Sequence, residues 1–327
     1  MKVQSAREII CFRYRADCTR TVFTFLKSQQ DSLAVDLPPV FNRFKIVILR
    51  GGEVIHNTDA EGSVLCHPVM LPSLTKVLSR YNFKPTRNDS LVVAGGDDKL
   101  SSSINHLKPY EELFRQIYHE NKDIECKWVS TIPVWVMYRF VAHIGIENFI
   151  NAFNSSPIKT HLIGTAFGAV FNYRKKDYNE VYECREKLRE FINRDRLVKD
   201  FYSSDGDEYI KSMQTYKFFA AASSNGLQPV KIYEALSCET IPVVIDNITV
   251  RELRDNYNLP IVIIDSWEHL TEQFLNEAWD SIYKHVDWEN VKQCALVSNF
   301  EKLYLQDTID RGSNSFFTSD KLVYPAK

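Results

Sequence analysis

The chain alternates between short apolar runs and amphipathic stretches, and the alternation is most regular in its second half. Ile241–Ile245 is apolar and β-branched on both faces, as a buried parallel strand is. Upstream, the pattern predicts a strand over Lys217–Ala222, a polar loop over Ser223–Gln228 and a helix over Pro229–Ser237. Pro229 suits the first helical turn, because the N–H that it lacks would have no helical partner there. The stretch therefore predicts one strand–helix–strand unit.

The same alternation extends to both sides of this unit. Further helices are predicted over Tyr178–Arg194, Asp207–Met213, Val250–Asn256, Leu270–Ala278 and within Ile282–Leu305, and further strands within His161–Phe171 and over Leu197–Tyr202 and Ile261–Ile264. Alternating strands and helices imply a doubly wound parallel sheet.

The first half contains fewer clear alternations and suggests a second, similar sheet. Strands are predicted over Glu8–Tyr14, Phe44–Arg50, Asp89–Ala94 and Ile124–Val129, a helix or strand over Thr21–Lys27, helices over Leu71–Tyr81 and Tyr110–Asn121, and a Ser-rich loop over Leu100–Asn105. Asn, Ser and Pro cluster in Asn151–Ile158 and indicate a boundary. We expect an N-terminal domain over residues 1–153, a second domain over 154–300, and a C-terminal helix or tail over 301–327 that packs back on the first domain.

Composition is that of an ordinary globular protein of 327 residues, 44% hydrophobic and 25% charged. The formal net charge of −2 gives no reason to expect nucleic acid as a partner. Seven scattered cysteines predict neither a disulfide framework nor a zinc site. No apolar stretch is long enough for a transmembrane helix, and the charged N-terminus is unlike a signal peptide. A soluble cytoplasmic protein is expected.

Two charged residues in the predicted helix Pro229–Ser237 suggest a binding site. Lys231 lies in the first turn, and Glu234 follows on the same face. A loop that leads into a helix beside the ends of parallel strands favours an anion, and a carboxylate close by favours sugar hydroxyls. The same spacing is also common in solvated surface pairs, which contribute only a few tenths of a kcal/mol. Spacing alone leaves both interpretations open.

The segment YKFFAAASSNGLQPVKIYEALSCETIPVVIDN resembles the donor-binding segment of exostosin-like glycosyltransferases. The family pattern is a strand, a loop with Ser, a basic residue, x-x-Glu-Ala, a small turn and Ile-Pro-Val-Ile. The matching positions are Lys231, Glu234, Ala235, Ile241, Pro242 and Val243. The segment KTHLIGTAFGAVFNYRKKDYNEVYECREKL is similar to the opening of the same domain, and DSLVVAGGDD is weakly similar to a segment of the first domain. Lys231 replaces the commoner Arg, Glu239-Thr240 replaces a Gly, and Ser90 stands where the family has His.

The resemblance implies a GT-B fold, α/β, with two Rossmann-like, doubly wound parallel-sheet domains that face a cleft. It implies an inverting glycosyltransferase that moves a sugar from a UDP-sugar (xylose, glucuronate, galactose or N-acetylglucosamine type) to a hydroxyl of a glycan or oligosaccharide acceptor. Glu234 would hold the ribose, and the diphosphate would be bound by Lys231, Arg174, Ser223, Ser224, Asn225 and Gly226. No cofactor beyond the donor is required. Because the chain shows no anchor or stem, a soluble viral or bacterial member is expected, in the host cytoplasm if viral.

The proton acceptor for such a transfer would be a carboxylate or a histidine in the first domain. Inversion requires that group to take the proton of the acceptor hydroxyl while positive charge stabilises the departing diphosphate. Asp97 is the first choice because it ends a buried predicted strand, and Asp98, Glu53 and His56 follow. Each of the four could instead cap a turn or a helix.

Two other interpretations use the same residues. Asp97 and Asp98 could hold Mn²⁺ or Mg²⁺ in a single-domain, metal-dependent glycosyltransferase. The acid-x-acid spacing of such enzymes is absent, so no metal ligand is assigned. The chain could also be a non-catalytic module that binds nucleotide sugars or glycans and lacks the base.

Overall fold

The computed structural model describes residues 39–60, 62–135, 138–166, 179–223 and 226–296. By their packing, these residues form two units, residues 39–142 with 295–296 and residues 143–294. The strand predicted over Glu8–Tyr14, the helix or strand predicted over Thr21–Lys27 and the tail predicted over 301–327 lie outside the described residues. Within the described ranges, every helix is too short or too polar to cross a bilayer.

The first unit is built on a six-stranded sheet. Its strands are β1 (Ile46–Ile48), β2 (Val54–His56), β3 (Val64–Cys66), β4 (Ser90–Val93), β5 (Gln116–His119) and β6 (Val129–Thr131). Their order is β2-β1-β3-β4-β5-β6, and all neighbours are parallel except β1 and β2, which form an antiparallel hairpin. The parallel strands follow one another in chain order, so the described part of this sheet lacks the reversal that a doubly wound sheet requires.

Two helices of this unit cover one face of the sheet. They are α1 (Leu74–Arg80) and α2 (Leu100–Leu107). Leu74, Leu78, Leu100 and Leu107 pack in one core cluster with Ile46, Ile48, Val64, Leu91, Val93 and Ile117 of the strands. Right-handed crossovers that all advance in the same direction place their helices on the same face, which explains the arrangement.

The prediction of a loop over Leu100–Asn105 is wrong, because α2 begins at Leu100. The Asp123 carboxylate accepts the Ser101 N–H at 2.8 Å and so satisfies a donor of the first turn. Leu100 and Leu107 are fully buried, and their packing outweighs the weak helix propensity of the three serines.

The helix predicted over Tyr110–Asn121 is also wrong, because β5 occupies its second half. Ile117 and Tyr118 pair with Leu91 and Val92 of β4, and Ile117 is buried in the core cluster. Pairing with a distant strand decides the conformation here, and local periodicity does not report it.

The second unit begins inside the helix α3 (Tyr138–Ile144) and continues with α4 (Ile146–Asn154). The predicted domain boundary at 153/154 falls before the last residue of α4, whereas the packing divides the chain between residues 142 and 143. The segment after α4 is held in the second unit: the Lys159 ammonium donates to the carbonyls of Gln214 and Cys238 at 3.0 and 2.8 Å.

A five-stranded, wholly parallel sheet forms the centre of the second unit. Its strands are β7 (His161–Thr165), β8 (Lys199–Asp200), β9 (Tyr216–Ala220), β10 (Ile241–Ile245) and β11 (Val262–Ile264). The helices between and after them are α5 (Asn179–Arg194), α6 (Gly206–Thr215), α7 (Lys231–Ser237), α8 (Ile248–Tyr257), α9 (Glu272–Ile282) and α10 (Trp288–Gln293). The prediction of an α/β fold with parallel sheets is confirmed.

The strand order β11-β10-β9-β7-β8 makes the second sheet doubly wound. Numbered from its own first strand, the order is 2-1-3-4-5, and it reverses between β7 and β9. Leu188 of α5 and Leu275 of α9 share one core cluster with Phe218 of β9 and Val243 of β10. The crossovers that run in the opposite direction place their helices on the other face. Ligands of such sheets bind beside the carboxyl ends of the strands at the reversal.

Gly164 of β7 allows two rings to pack directly on the sheet. A Cβ at this position would lie 2.8 Å from the Phe201 ring and 2.9 Å from the Tyr216 ring. The two rings stack on each other with centroids 4.9 Å apart. Phe201 follows β8, and its ring also lies 5.8 Å from that of Tyr209, so this packing fixes Tyr209 near the carboxyl edge of the sheet.

The turn between α7 and β10 contains a strained backbone position. Glu239 has φ +54°, in the left-handed region that glycine adopts most easily. The Thr240 N–H donates to the Ala235 carbonyl at 2.9 Å and closes the helix. The buried Glu239 carboxylate accepts from Lys292 Nζ of α10 at 2.6 Å. This ion pair offers a reason for an acidic residue where the resembled family has glycine.

Candidate functional site

Lys231 and Glu234 meet a third side chain, that of Tyr209 of α6. The Tyr209 hydroxyl donates to Glu234 Oε2 at 2.7 Å and accepts from Lys231 Nζ at 2.9 Å. Lys231 Nζ itself lies 3.6 Å from Glu234 Oε2. The Glu234 side chain is 8% exposed and that of Lys231 is 26% exposed, so the pair is not the solvated surface pair that the spacing alone allowed.

These three residues lie at the carboxyl edge of the doubly wound sheet. α6 follows β8 and α7 follows β9, and each helix leads back to the start of the next strand. The first turns of both helices are therefore at the carboxyl edge. β9 is one of the two strands between which the strand order reverses. The cluster therefore occupies the part of the fold where doubly wound sheets bind their ligands.

Aromatic rings fix the position of the Lys231 ammonium. Its Nζ lies 4.9 Å from the ring centroid of Tyr209 and 5.9 Å from that of Phe219 on β9. Burial, followed by the charge of Glu234, raises the pKa of Tyr209 well above its ordinary value. The hydroxyl therefore stays protonated at neutral pH and donates a hydrogen bond to the carboxylate.

Three backbone amides in the first turn of α7 already donate hydrogen bonds to carbonyls of the same turn. Ile232 N–H donates to the Pro229 carbonyl, and Tyr233 N–H donates to the Val230 carbonyl, both at 3.0 Å. Glu234 N–H donates to the Val230 carbonyl at 3.4 Å. An anion at this edge would consequently depend on the Lys231 side chain more than on the amides of this short helix.

The loop before α7 is held by two side chains. The Tyr233 hydroxyl donates to Gln228 Oε1, and Asn247 Nδ2 after β10 donates to the Leu227 carbonyl at 3.3 Å. Gly226 in this loop is buried. The predicted diphosphate contacts Arg174, Ser224 and Asn225 lie outside the described residues.

Ser223, the other predicted loop residue, contacts the thiol of Cys184 on α5. Burial raises the pKa of Cys184, and hydrogen bonds from Ser223 and Trp267 oppose the rise. A cavity of about 170 Å³ lies beside Cys184, lined by Glu183, Cys184, Lys187, Ile245, Asp265, Ser266 and Trp267. Lys187 is paired with Glu183 at 2.7 Å, so the charged lining is already neutralised in part.

At the carboxyl edge of the first sheet, a buried glutamate binds the turn after β4. Glu120 is fully buried, and its two carboxylate oxygens accept the N–H groups of Gly95 and Gly96 at 3.1 and 2.7 Å. Gly95 adopts φ +97°, a conformation that glycine tolerates best. Because both amides donate to the Glu120 carboxylate, the backbone of this turn is held in place. The residues that follow it therefore begin from a fixed position.

Those residues are Asp97 and Asp98, both half-buried, and His67 from the end of β3 lies beside them. A Cβ on Gly96 would lie 3.1 Å from Asp98 Oδ2 and 3.2 Å from His67 Cε1. Burial lowers the pKa of His67, and the charge of Asp98 opposes this. His67 Nδ1 accepts the Val69 N–H at 3.3 Å, so the neutral ring carries its proton on Nε2.

The two remaining candidates for the base lie apart from each other. Glu53 is exposed in the turn between β1 and β2. The backbone N–H of His67 donates to the carbonyl of Ile48, the last residue of β1, at 2.9 Å. The turn that contains Glu53 therefore lies at the same edge of the sheet as His67. His56 pairs with Ile46 at the opposite end of the sheet. The structure thus places Asp97, Asp98 and Glu53 at one edge and His56 at the other.

Among the described residues, no group of three or more His, Cys, Asp or Glu side chains is arranged to hold a metal ion.

The buried ring of His119, at the end of β5, is expected to make the stability of the fold sensitive to acid. Its ring is fully buried, and burial lowers its pKa to about 4. The unfolded chain, with a histidine pKa of about 6.5, takes up the proton first, so stability falls as the pH drops from 6.5 towards 4. His119→Asn is expected to reduce the loss of unfolding free energy between pH 6.5 and 4.5 by about 2 kcal/mol, measured by urea unfolding. His269→Asn, at an exposed position, is the control; equal slopes for both variants would contradict the prediction.

Sequence reasoning missed Tyr209, His67 and Glu120. Glu120 had a detectable signal, since it follows an apolar run just as Asp97 does, but the helix predicted over Tyr110–Asn121 concealed it. Tyr209 had no comparable signal, because an aromatic residue on an amphipathic helix is ordinary core.

Comparison with known proteins adds little to this description. No family model matches the chain, and no curated protein matches it. The crystal structure of the GtfA/B complex is similar with a TM-score of 0.28 and 10% identity. The match covers 77% of this chain and 60% of the other, so this chain spans less than two thirds of that protein's length. With so low a TM-score, the likeness carries no argument about fold or activity.

Proposed function

We propose that the protein is an inverting glycosyltransferase that moves a sugar from a UDP-sugar to a hydroxyl of a glycan acceptor. The observation that carries the proposal is the Lys231–Tyr209–Glu234 cluster at the reversal point of a doubly wound sheet. A fixed, partly exposed cation beside a buried carboxylate suits a diphosphate next to a ribose. The sequence resemblance to exostosin-like glycosyltransferases agrees with this interpretation.

In the proposed reaction, the acceptor oxygen attacks the anomeric carbon of the donor sugar. The bond from that carbon to the diphosphate oxygen breaks, and UDP leaves with the electron pair. The Lys231 ammonium would stabilise the charge that grows on the departing diphosphate. Glu234 would bind the ribose; Tyr209 already occupies its Oε2, so a ribose hydroxyl would compete for that oxygen or use Oε1.

The acceptor proton would pass to a carboxylate of the first unit in the GT-B arrangement that the resemblance implies. Asp97 and Asp98 are supported as candidates by the Glu120-bound turn that presents them. A carboxylate is suited to this role if it lies within hydrogen-bond reach of the acceptor hydroxyl.

A panel of nucleotide sugars in a thermal-shift assay tests the proposal. A bound donor at 100 times its Kd adds about 2.7 kcal/mol to the unfolding free energy and raises Tm by a few degrees. We expect UDP-sugars to raise Tm more than the matching GDP-sugars. Equal, negligible shifts with every nucleotide would contradict the donor site.

Release of UDP with and without a glycan acceptor then separates an enzyme from a binding module. Turnover should require the acceptor, survive EDTA, and be lost in Asp97→Asn while donor binding persists. Full turnover in Asp97→Asn with loss in Asp98→Asn would assign the base to Asp98. Donor binding without any turnover would indicate a non-catalytic protein.

A further inference from the structure

We infer that Tyr209 is a positioning residue that keeps the Lys231 ammonium apart from Glu234 and available to the phosphates of a nucleotide. The inference rests on the proposed function, because it assigns a role within the same site. It starts from three distances: 2.9 Å from Lys231 Nζ to the hydroxyl, 2.7 Å from the hydroxyl to Glu234 Oε2, and 3.6 Å from Nζ to that oxygen.

The hydroxyl acts as a spacer between opposite charges. A direct ammonium–carboxylate hydrogen bond is usually about 2.8 Å long. At a separation of 3.6 Å, Lys231 Nζ and Glu234 Oε2 form no such bond. Tyr209 forms one hydrogen bond with each partner, so neither charged group needs a direct contact with the other. Without the hydroxyl, Lys231 would move onto Glu234 and become a weaker ligand for an added anion.

Tyr209 is held firmly enough to act in this way. It is 4% exposed, and its ring packs against Phe201 at 5.8 Å. Asp205 caps the helix, with its Oδ1 accepting the N–H groups of Asp207 and Glu208 at 2.8 and 3.1 Å. The hydroxyl therefore has a fixed location from which to orient the longer, more flexible lysine.

Tyr209→Phe keeps the ring and removes only the hydroxyl. We expect UDP affinity, measured by calorimetry, to fall roughly tenfold, the effect of one hydrogen bond to a charged group. Tyr110→Phe is the matched control, since it removes a tyrosine hydroxyl bonded to Thr75 in the first unit at 2.5 Å. The control should bind UDP as the wild type does.

A double-mutant cycle with Lys231→Met separates positioning from mere structural support. If Tyr209 acts through Lys231, Lys231→Met should weaken UDP binding much less in the Tyr209→Phe background than in the wild type. Multiplicative, independent losses would overturn the inference. Unchanged affinity in Tyr209→Phe would overturn it as well.

Tyr209→Gln provides a second variant, which has a shorter side chain but whose amide carries both an acceptor for Lys231 and a donor for Glu234. It should bind UDP more tightly than Tyr209→Phe, and weaker binding would count against the spacer role. If Tyr209→Phe proves unfolded by circular dichroism, Tyr209→Gln is compared with Tyr209→Leu, which has neither an acceptor nor a donor: tighter UDP binding by Tyr209→Gln supports the inference, and equal affinities refute it. If the wild type binds no nucleoside diphosphate, the proposed function itself fails.

Discussion

Replacing Lys292 by methionine is expected to lower the free energy of unfolding by about 3–5 kcal/mol. The substitution leaves the Glu239 carboxylate buried without its cation, because the two side chains are only 10% and 6% exposed. Lys292 Nζ also donates to the Ser155 carbonyl at 3.0 Å, and that bond would be lost too. Urea unfolding at pH 7, followed by tryptophan fluorescence, measures the change.

The exposed pair of Lys187 and Glu183 supplies the control. Both of its side chains are more than half exposed, so Lys187→Met should change the free energy of unfolding far less than Lys292→Met does. Adding Glu239→Gln to Lys292→Met should recover part of the loss, since the uncompensated charge is then removed. A loss below 1 kcal/mol in Lys292→Met would show that the pair does not stabilise the fold.

Lys231→Met is expected to weaken UDP binding by about 10- to 100-fold, the loss of a charge-assisted contact. The fold should persist, because Glu234 keeps the hydrogen bond from Tyr209. The remaining binding should also depend less on salt, since a cation facing the phosphates has been removed. Calorimetric titrations with UDP at two NaCl concentrations measure both effects.

Lys211→Met is the matched control for this variant. Lys211 lies on α6, the helix of Tyr209, but its side chain is 69% exposed and paired with Asp207. Its loss removes the same charge from the same unit without touching the cluster. Equal weakening in both variants would point to a general charge effect, and unchanged affinity in Lys231→Met would exclude Lys231 from the diphosphate site.

Much of the second unit could be predicted from its local pattern. The strand Ile241–Ile245 is observed with the predicted limits, because a short run of β-branched residues on both faces is typical of a buried parallel strand. Lys231 and Glu234 share a helix face, as their spacing requires. These properties depend on residues that are neighbours in the chain.

The first unit shows where local pattern fails. The conformation of Gln116–His119 depends on pairing with β4, more than twenty residues earlier, and α2 depends on a cap from Asp123. Neither partner lies within the window over which helical or strand periodicity is measured. The wrong helix prediction then concealed Glu120, which fixes the turn before Asp97 and Asp98.

By itself, the sequence determined an α/β chain with parallel strands and identified Lys231 and Glu234 as a pair worth testing. Only the tertiary structure decided that the pair is largely buried and that Tyr209 lies within hydrogen-bond distance of both. The reason is physical: helical spacing sets which residues share a face, whereas the order of the strands sets which distant residues meet at the edge of a sheet.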